Sequence, residues 1–341
     1  MSRPTIADLA RAAGVSVATV DRVLNARHRV REPTAERVLG AAEAIGYHGT
    51  PLLKSRLRPN IPERTFAFLL QREDAFYAQF GTDLAAATRA LTEFRAKSVI
   101  DFAPDLSPGV IAERLLRLGE SAHAVAVVSV DHPRVSDAIA TLRARGVPTF
   151  AVLTELGAGA AAPYVGRDNR KEGRTAAWLI AKAARRPGKV GIIVGSHRFL
   201  CQETAEISFR AYLRENAPEF TPLEPLVNLE EPRIAYAATQ DMIATHPDLV
   251  GLYVCGGGQE GVIAGARDEP RSRGLAIVCN ELTPTARAGL VDGVLTAVIS
   301  TPTALLAQRT LAAMGSAIAA PNETVANPVF VPFELYLPTN V

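Results

Sequence analysis

From Thr65 to Met314 the chain alternates short apolar, β-branched runs with stretches of helical periodicity, and nothing else in it restricts the fold as strongly. The runs are Thr65–Leu70, Lys97–Phe102, Ala124–Val130, Thr149–Leu153, Val190–Val194, Leu249–Val254, Ala276–Val278 and Thr296–Ile299. Between them, Asp83–Phe94, Ala112–Leu118, Val135–Arg145, Arg174–Ala184, Glu206–Glu215, Ala235–Thr245 and Pro302–Met314 carry apolar residues at helical spacing. Continuous apolar runs suit strands buried on both faces, and strand followed by helix, repeated, predicts parallel sheets covered by helices. A body of about 280 residues is large for one sheet. Gly157–Pro163 therefore reads as a crossover between two, and the apolar Val329–Leu337 as a closing strand.

The first sixty residues follow a different pattern. Thr5 offers a capping oxygen, Asp8 completes a capping box, and Ile6, Leu9, Ala10 and Ala13 share one helical face. Gly14 stops that helix. Val15 is an apolar pivot, and Ser16 caps a second helix whose Val20, Val23 and Leu24 turn inward while Val17, Ala18, Asp21 and Arg22 look outward. After the loop Asn25–Arg31, a third helix from about Pro33 to Ile45 carries Val38, Leu39, Ala42 and Ile45 on one side. Three short helices with a glycine turn between the first two make a helix-turn-helix. That arrangement alone also fits a small bundle with no nucleic-acid role, but the charge points further. Residues 1–60 hold ten Lys/Arg against five acids in a chain whose net charge is only +2. A basic head on a near-neutral body calls for a polyanionic partner.

Residues 5–25 read Thr-Ile-x-Asp-Leu-Ala-x-x-Ala-Gly-Val-Ser-x-Ala-Thr-Val-x-Arg-Val-Leu-Asn. The stretch resembles the DNA-binding head of the lactose/galactose repressor family of bacterial transcription regulators. The resemblance implies a second helix entering the major groove, with Val17, Ala18 and Arg22 reading base edges. Ser16, Thr19, Asn25 and His28, with Arg29 or Arg31, would hold phosphates and set register, and Thr5 joins this DNA-facing group. Asp21 departs from the family, whose heads usually carry Ser there, and this points to a different operator. Residues 48–63, with prolines at both ends of a basic segment, read as a linker. By the resemblance it forms a hinge that inserts Leu53 or Leu57 into the minor groove. The family's usual hinge pattern is missing, however, and a plain tether fits as well.

The polar groups at strand ends suit a polyhydroxylated ligand, since sheets of this kind bind at the carboxyl ends of their strands. They include Asp74, Phe76, Tyr77, Glu155, Asp168-Asn169, His197, Arg198, Gln202-Glu203, Gln259 and Glu281. Asp168-Asn169 followed by Gly173, together with Glu281-Leu-Thr-Pro284, looks like the two-lobed periplasmic-binding-protein body that the same family carries. By that likeness Asp74, Phe76 and Tyr77 serve the first lobe, Glu203 and Glu281 the second, and Gln259 a third loop. Ala205 stands where relatives hold a sugar-gripping arginine, so either His197 or Arg198 compensates or the ligand is atypical.

The fold class expected is thus α/β: an all-α helix-turn-helix head at residues 1–47, a hinge at 48–63, and a two-lobed periplasmic-binding-protein-like body of two doubly wound parallel sheets at 64–341. Lobe 1 is placed at about 64–160 and 290–322, lobe 2 at about 161–289 and 323–341. The function expected is a transcription regulator, a repressor, acting as a homodimer on a palindromic site in double-stranded DNA. Its small effector, a carbohydrate or polyol, would close the lobes.

Gly256-Gly257-Gly258-Gln259-Glu260-Gly261 satisfies G-x-G-x-x-G after a strand, with Glu281 some twenty residues on. A dinucleotide-dependent enzyme is therefore the competing reading, and a sugar-converting enzyme with Cys201 near His197 a weaker one. Cys201, Cys255 and Cys279 are too widely spaced for a disulfide framework or zinc site, and His123, His132 and His246 lack metal spacing. Neither catalysis, nor a cofactor, nor a metal is expected. Arg3, Asp8 and Arg11 break any signal-like apolar start, and no apolar run is long enough to span a bilayer. A cytoplasmic protein, on the nucleoid when bound to DNA, is expected.

Overall fold

Thr5 and Asp8 cap each other in the computed structural model, which describes residues 4–25, 30–50, 53, 61–320 and 327–341. Asp8 N donates to Thr5 Oγ1 at 3.3 Å and Thr5 N to Asp8 Oδ2 at 3.0 Å, which starts helix α1 (Ile6–Ala13). Gly14 ends it at φ 63, a left-handed conformation that costs glycine nothing. Ser16 Oγ then accepts from Thr19 N at 3.2 Å and opens α2 (Val17–Asn25), and α3 (Glu32–Ala44) follows. Leu9, Val20, Val23, Val38, Leu39 and Ala42 meet in one small core together with Tyr47 and Leu53.

Met1–Glu63 with Thr92–Arg95 form one compact unit and the remaining residues a second. The body runs β1 (Glu63–Leu70), α4 (Ala75–Ala90), β2 (Arg95–Phe102), α5 (Pro108–Leu118), β3 (Ala124–Val127), α6 (Pro133–Ala144), β4 (Thr149–Val152), β5 (Tyr164–Arg167) and α7 (Asn169–Ala183). It continues with β6 (Lys189–Val194), α8 (Leu200–Asn216), β7 (Thr221–Pro222), β8 (Leu226–Val227), α9 (Pro232–Thr245), β9 (Leu249–Val254) and α10 (Gln259–Asp268). β10 (Ala276–Asn280), α11 (Pro284–Val291), β11 (Ala297–Ser300), α12 (Thr303–Ala319), β12 (Val329–Val331) and β13 (Glu334–Tyr336) close the chain. No helix among the described residues is long and apolar enough to cross a membrane.

These strands form two sheets, ordered β12-β5-β4-β3-β1-β2 and β13-β11-β10-β9-β6-β7, with β8 also on β6. Both sheets reverse strand order at their first strand, β1 beside β3 and β6 beside β9. Such a switch point opens a crevice at the carboxyl ends of the strands. The expected doubly wound α/β architecture is present; the expected lobe boundaries need correction. β5 pairs with β4, so the first crossover follows Arg167 rather than lying at Gly157–Pro163. β11 and α11 belong to the second sheet, so lobe 1 resumes at Thr303 rather than near residue 290. β12 returns to β5 and only β13 joins the second lobe. The short Tyr-Val-Gly-Arg strand escaped notice because a lone valine between polar and small residues gives no apolar run.

Core packing in lobe 2 is close enough to require glycine. A Cβ on Gly173 of α7 would lie 2.0 Å from the carbonyl oxygen of Ala205 on α8. Gly173→Ala should therefore force the two helices apart and destabilise the body by about 1–3 kcal/mol. In a thermal melt followed by circular dichroism this is a fall of about 2–4 °C per kcal/mol, and an unchanged melting temperature would mean that the contact relaxes freely.

Candidate functional site

Two surfaces gather the residues singled out from the sequence. On the head, the face of α2 opposite the core exposes Val17, Ala18, Asp21, Arg22 and Asn25, with Val17 52% accessible. Ala18 and Arg22 lie one helical turn apart with Val17 beside Ala18, an exposed surface of the head. Asp21 accepts a hydrogen bond from Asn25 Nδ2 at 2.7 Å, so it engages Asn25 rather than Arg22 in the free head. Ser16 and Thr19 hydroxyls lie 2.8 Å apart at the start of the same helix. Leu53 is fully buried in the head core, which withdraws it from the wedge role expected of it in this conformation. His28, Arg29 and Leu57 lie outside the described residues.

In the body, a cavity of about 90 Å³ opens between the carboxyl ends of the two sheets. On this measure one water occupies about 10–15 Å³, so the space admits a compact molecule and not a dinucleotide. Asp74, Phe76 and Tyr77 follow β1, Cys201 and Gln202 start α8, Glu230 follows β8, Gly256, Gly257 and Gln259 follow β9, and Glu281 follows β10. Leu153, Arg167, Cys255 and Asn280 complete the wall. Of the expected ligand residues, Asp74, Phe76, Tyr77, Gln202, Gln259 and Glu281 are thus brought together.

Five others are placed elsewhere. Asp168 caps α7 by accepting from Lys171 N at 3.1 Å, and Glu155 accepts from Asn169 Nδ2 at 3.3 Å. Glu203 sits in the first turn of α8, where a negative charge complements the helix dipole. His197 and Arg198 are solvent-exposed, and neither lines the cavity.

Arg167 is the electrostatic centre of this wall. It is buried, with NH2 3.0 Å from Glu172 Oε2, NH1 3.4 Å from Glu281 Oε1, and NH1 also donating to the Ile299 carbonyl at 3.4 Å. Burial alone would lower its pKa, but Glu172 and then Glu281 hold the guanidinium well above its usual range. Glu172 is pushed up by burial against the pull of Arg167 and of hydrogen bonds from Asn280 Nδ2 at 2.7 Å and Tyr253 Oη at 3.1 Å. Glu281 takes Thr301 N and Oγ1, each at 2.8 Å. Glu172 was missed because a glutamate inside a helix reads as a surface residue; only its pairing with Arg167 explains its burial.

The lobes also meet beside the cavity. Arg72 donates to the Glu230 carbonyl and, at 2.6 Å, to Glu231 Oε1. Asp131 N donates to the Arg198 carbonyl at 2.8 Å and Cys201 N to Thr154 Oγ1 at 3.3 Å. Phe199, on the lobe 2 loop, packs into the apolar cluster of lobe 1.

The glycine run does follow a strand and open a helix, yet its chemistry is already committed. Gly257 N donates to Glu230 Oε1 at 3.1 Å, and Gln202 Nε2 reaches the same oxygen at 2.6 Å. A carboxylate thus occupies an amide that a pyrophosphate would need, and would repel it. A Cβ on Gly256 would approach Gln202 Oε1, and one on Gly257 would approach Glu230 Oε2, each to 2.7 Å, so side chains there would disturb this network. Burial pushes the Cys201 thiol up to about 12, leaving it a poor nucleophile at neutral pH. Among the described residues no three His, Cys, Asp or Glu side chains could hold a metal ion.

Residues 5–49 match the bacterial regulatory proteins of the lacI family, and residues 110–321 match the periplasmic binding protein domain. The chain thus joins a lacI-family head to a body that belongs to the periplasmic binding protein family. Its body is a periplasmic-binding-protein domain, similar to a solute-binding protein of an ABC transporter from Agrobacterium vitis bound to α-D-tagatopyranose. That structure shares 20% identity at TM-score 0.73, over 82% of this chain and 96% of the other. A putative LacI transcriptional regulator from Bacteroides fragilis is similar at 17% identity and TM-score 0.70, over 82% of this chain and 98% of its own. An uncharacterized HTH-type transcriptional regulator in the aml 5' region of Streptomyces limosus is 26% identical over 209 residues, covering 58% of this chain. The match spans about half, 54%, of that relative's length.

The buried triad gives a sign-specific test. Arg167→Ala leaves Glu172 and Glu281 without their cation and should cost about 3–5 kcal/mol at pH 7. Glu172 already binds its proton more tightly folded than unfolded. The variant's deficit should accordingly shrink as pH falls from the raised folded value toward the ordinary carboxylate range. Urea titrations at several pH values check this, and a deficit that grows on acidification would remove Glu172 from the account.

Proposed function

We propose that this protein is a DNA-binding transcriptional regulator, a repressor, whose operator affinity is set by a small polyhydroxylated ligand held between the two lobes of the body. The observation that carries the reading is the coexistence of an exposed Val17-Ala18-Arg22 face on a basic helix-turn-helix with an interlobe cavity lined by hydrogen-bonding groups and two aromatic rings. Phe76 and Tyr77 stand edge to face, 5.1 Å apart, and offer an apolar surface to a sugar ring, while Gln259, Asn280 and the carboxylates address its hydroxyls. The tagatopyranose of the Agrobacterium vitis protein supports the same ligand class.

A single head contacts too little DNA for specificity, so the protein acts as a homodimer on a palindromic site with half-sites about one helical turn apart. The ligand acts by favouring one degree of lobe closure, a hinge motion whose coupling to DNA is typically about 1–3 kcal/mol. The protein works in the cytoplasm and carries out no catalysis: the glycine loop is spent on Glu230, and Cys201 is held as a neutral thiol.

Selection of bound genomic fragments, followed by mobility-shift titration, tests the head. Arg22→Ala should lower affinity for the selected site about 10- to 100-fold while leaving weak, salt-sensitive binding to unrelated DNA unchanged. Equal loss on both would make Arg22 a phosphate contact. Gln259→Ala should leave operator affinity intact and raise the effector concentration needed for half-release by about tenfold. An unaltered response would place the effector elsewhere.

A further inference from the structure

The cavity gathers more carboxyl groups than cations. Asp74, Glu230 and Glu281 line it, Glu172 lies behind Arg167, and Glu231 meets Arg72 beside it. Against these five carboxylates stand two guanidinium groups, and both are committed, Arg167 to Glu172 and Glu281 and Arg72 to Glu231 and the Glu230 backbone. Asp74 and the Glu230 side chain are left without an ion pair among the described residues. The two bonds to the Glu230 carboxylate both fall on Oε1, so Oε2 has none. Burial pushes Glu230 up, and the neighbouring Asp74 charge adds to that rise.

One buried amide oxygen in the same wall is unsatisfied. Asn280 is 4% exposed; its Nδ2 serves Glu172 and the Cys255 carbonyl, while its Oδ1 has no partner. Gln259, 6% exposed, presents its side chain to the same cavity. Buried polar atoms are ordinarily paired, so the partner of Asn280 Oδ1 here is a ligand atom. Asp74 is exposed at the rim, where it caps α4 by accepting from Tyr77 N at 2.8 Å, whereas the Glu230 carboxyl is enclosed. A neutral polyol would satisfy the amide but leave both carboxyl groups without a cation, and an acidic sugar would be repelled.

We propose that the ligand is a polyhydroxylated molecule bearing a protonated amine, an amino sugar or aminopolyol, with its ammonium group between Asp74 and Glu230 and the oxygen of Asn280 or Gln259 completing its three acceptors. The assignment rests on the reading of this cavity as the effector site. An ammonium supplies three N–H donors and the missing positive charge in one group.

Isothermal titration calorimetry on the full chain tests this with matched sets: D-glucose and D-galactose, D-glucosamine and D-galactosamine, their N-acetyl derivatives, and D-glucuronic acid. At least one amine should bind about tenfold more tightly than its neutral parent and its N-acetyl form, and the advantage should fade as pH rises and the ammonium loses its proton. Glu230→Gln should cut the ratio of amine to parent affinity several-fold, whatever its effect on the parent alone, and an unchanged ratio would overturn the charge assignment. Asp74→Asn repeats the measurement should Glu230→Gln fail to fold by circular dichroism. A neutral parent or N-acetyl form that binds as tightly as the amine overturns the charge assignment and leaves the cavity reading standing, as does tighter binding of glucuronic acid. Failure of every compound to bind overturns both.

Discussion

The geometry of the body depends on one buried cation. Arg167 sits where the chain first leaves lobe 1, and its guanidinium reaches Glu172 at the start of the next helix, Glu281 at the end of β10, and the Ile299 carbonyl beside the second crossover. Three segments that would otherwise swing independently are thus tied to one planar group. A buried ion pair of this kind adds little net stability over a well-packed apolar substitute, because the Coulomb gain is offset by desolvation. What it does enforce is a single arrangement, since any displacement strands a charge out of water. The cost is visible in the backbone: Glu281 and Glu230, which present carboxylates to the cavity, adopt φ 64 and φ 63, values that side-chain-bearing residues seldom hold.

From that constraint the cavity follows. Two sheets with the same reversal of strand order, each pointing carboxyl ends toward the other, leave a crevice whose walls are loops and helix starts rather than strands. Arg72, Phe199 and the Asp131–Arg198 bond bring the two rims together. The Arg72–Glu231 pair is half-exposed on both sides and contributes at most about 1 kcal/mol, a size suited to a contact that must open and close.

The fold was legible because it is written in periodicities. Apolar runs of five or six residues marked most strands, and a capping box with a glycine stop marked the head's first helix to the residue. Tyr164–Arg167 was invisible because its burial comes from neighbours on both sides rather than from its own composition. The cavity was half legible for a related reason. Asp74 through Tyr77, Gln202, Gln259 and Glu281 fall among the polar groups that come after strands, whereas Glu230, and Glu172 behind the wall, owe their place to partners far off in sequence. Asn280 and Glu172, 108 residues apart, share a hydrogen bond that no local pattern announces. His197 and Arg198 misled in the opposite way: their loop does reach the interlobe region, but it is the apolar Phe199 and a backbone carbonyl that make the contact.

Phe199 has a consequence of its own. It belongs to the chain of lobe 2 yet is 3% exposed among lobe 1 side chains, so separating the lobes returns a phenyl ring to water. Burial of such a ring contributes about 1.5–3 kcal/mol near room temperature, and it does so entropically, with a heat capacity that rises on exposure. Lobe closure therefore carries a temperature dependence that its ion pairs alone would not give. In the hinge motion proposed above, cooling weakens the apolar part of the closing force, which would make the response to ligand a function of temperature as well as of concentration.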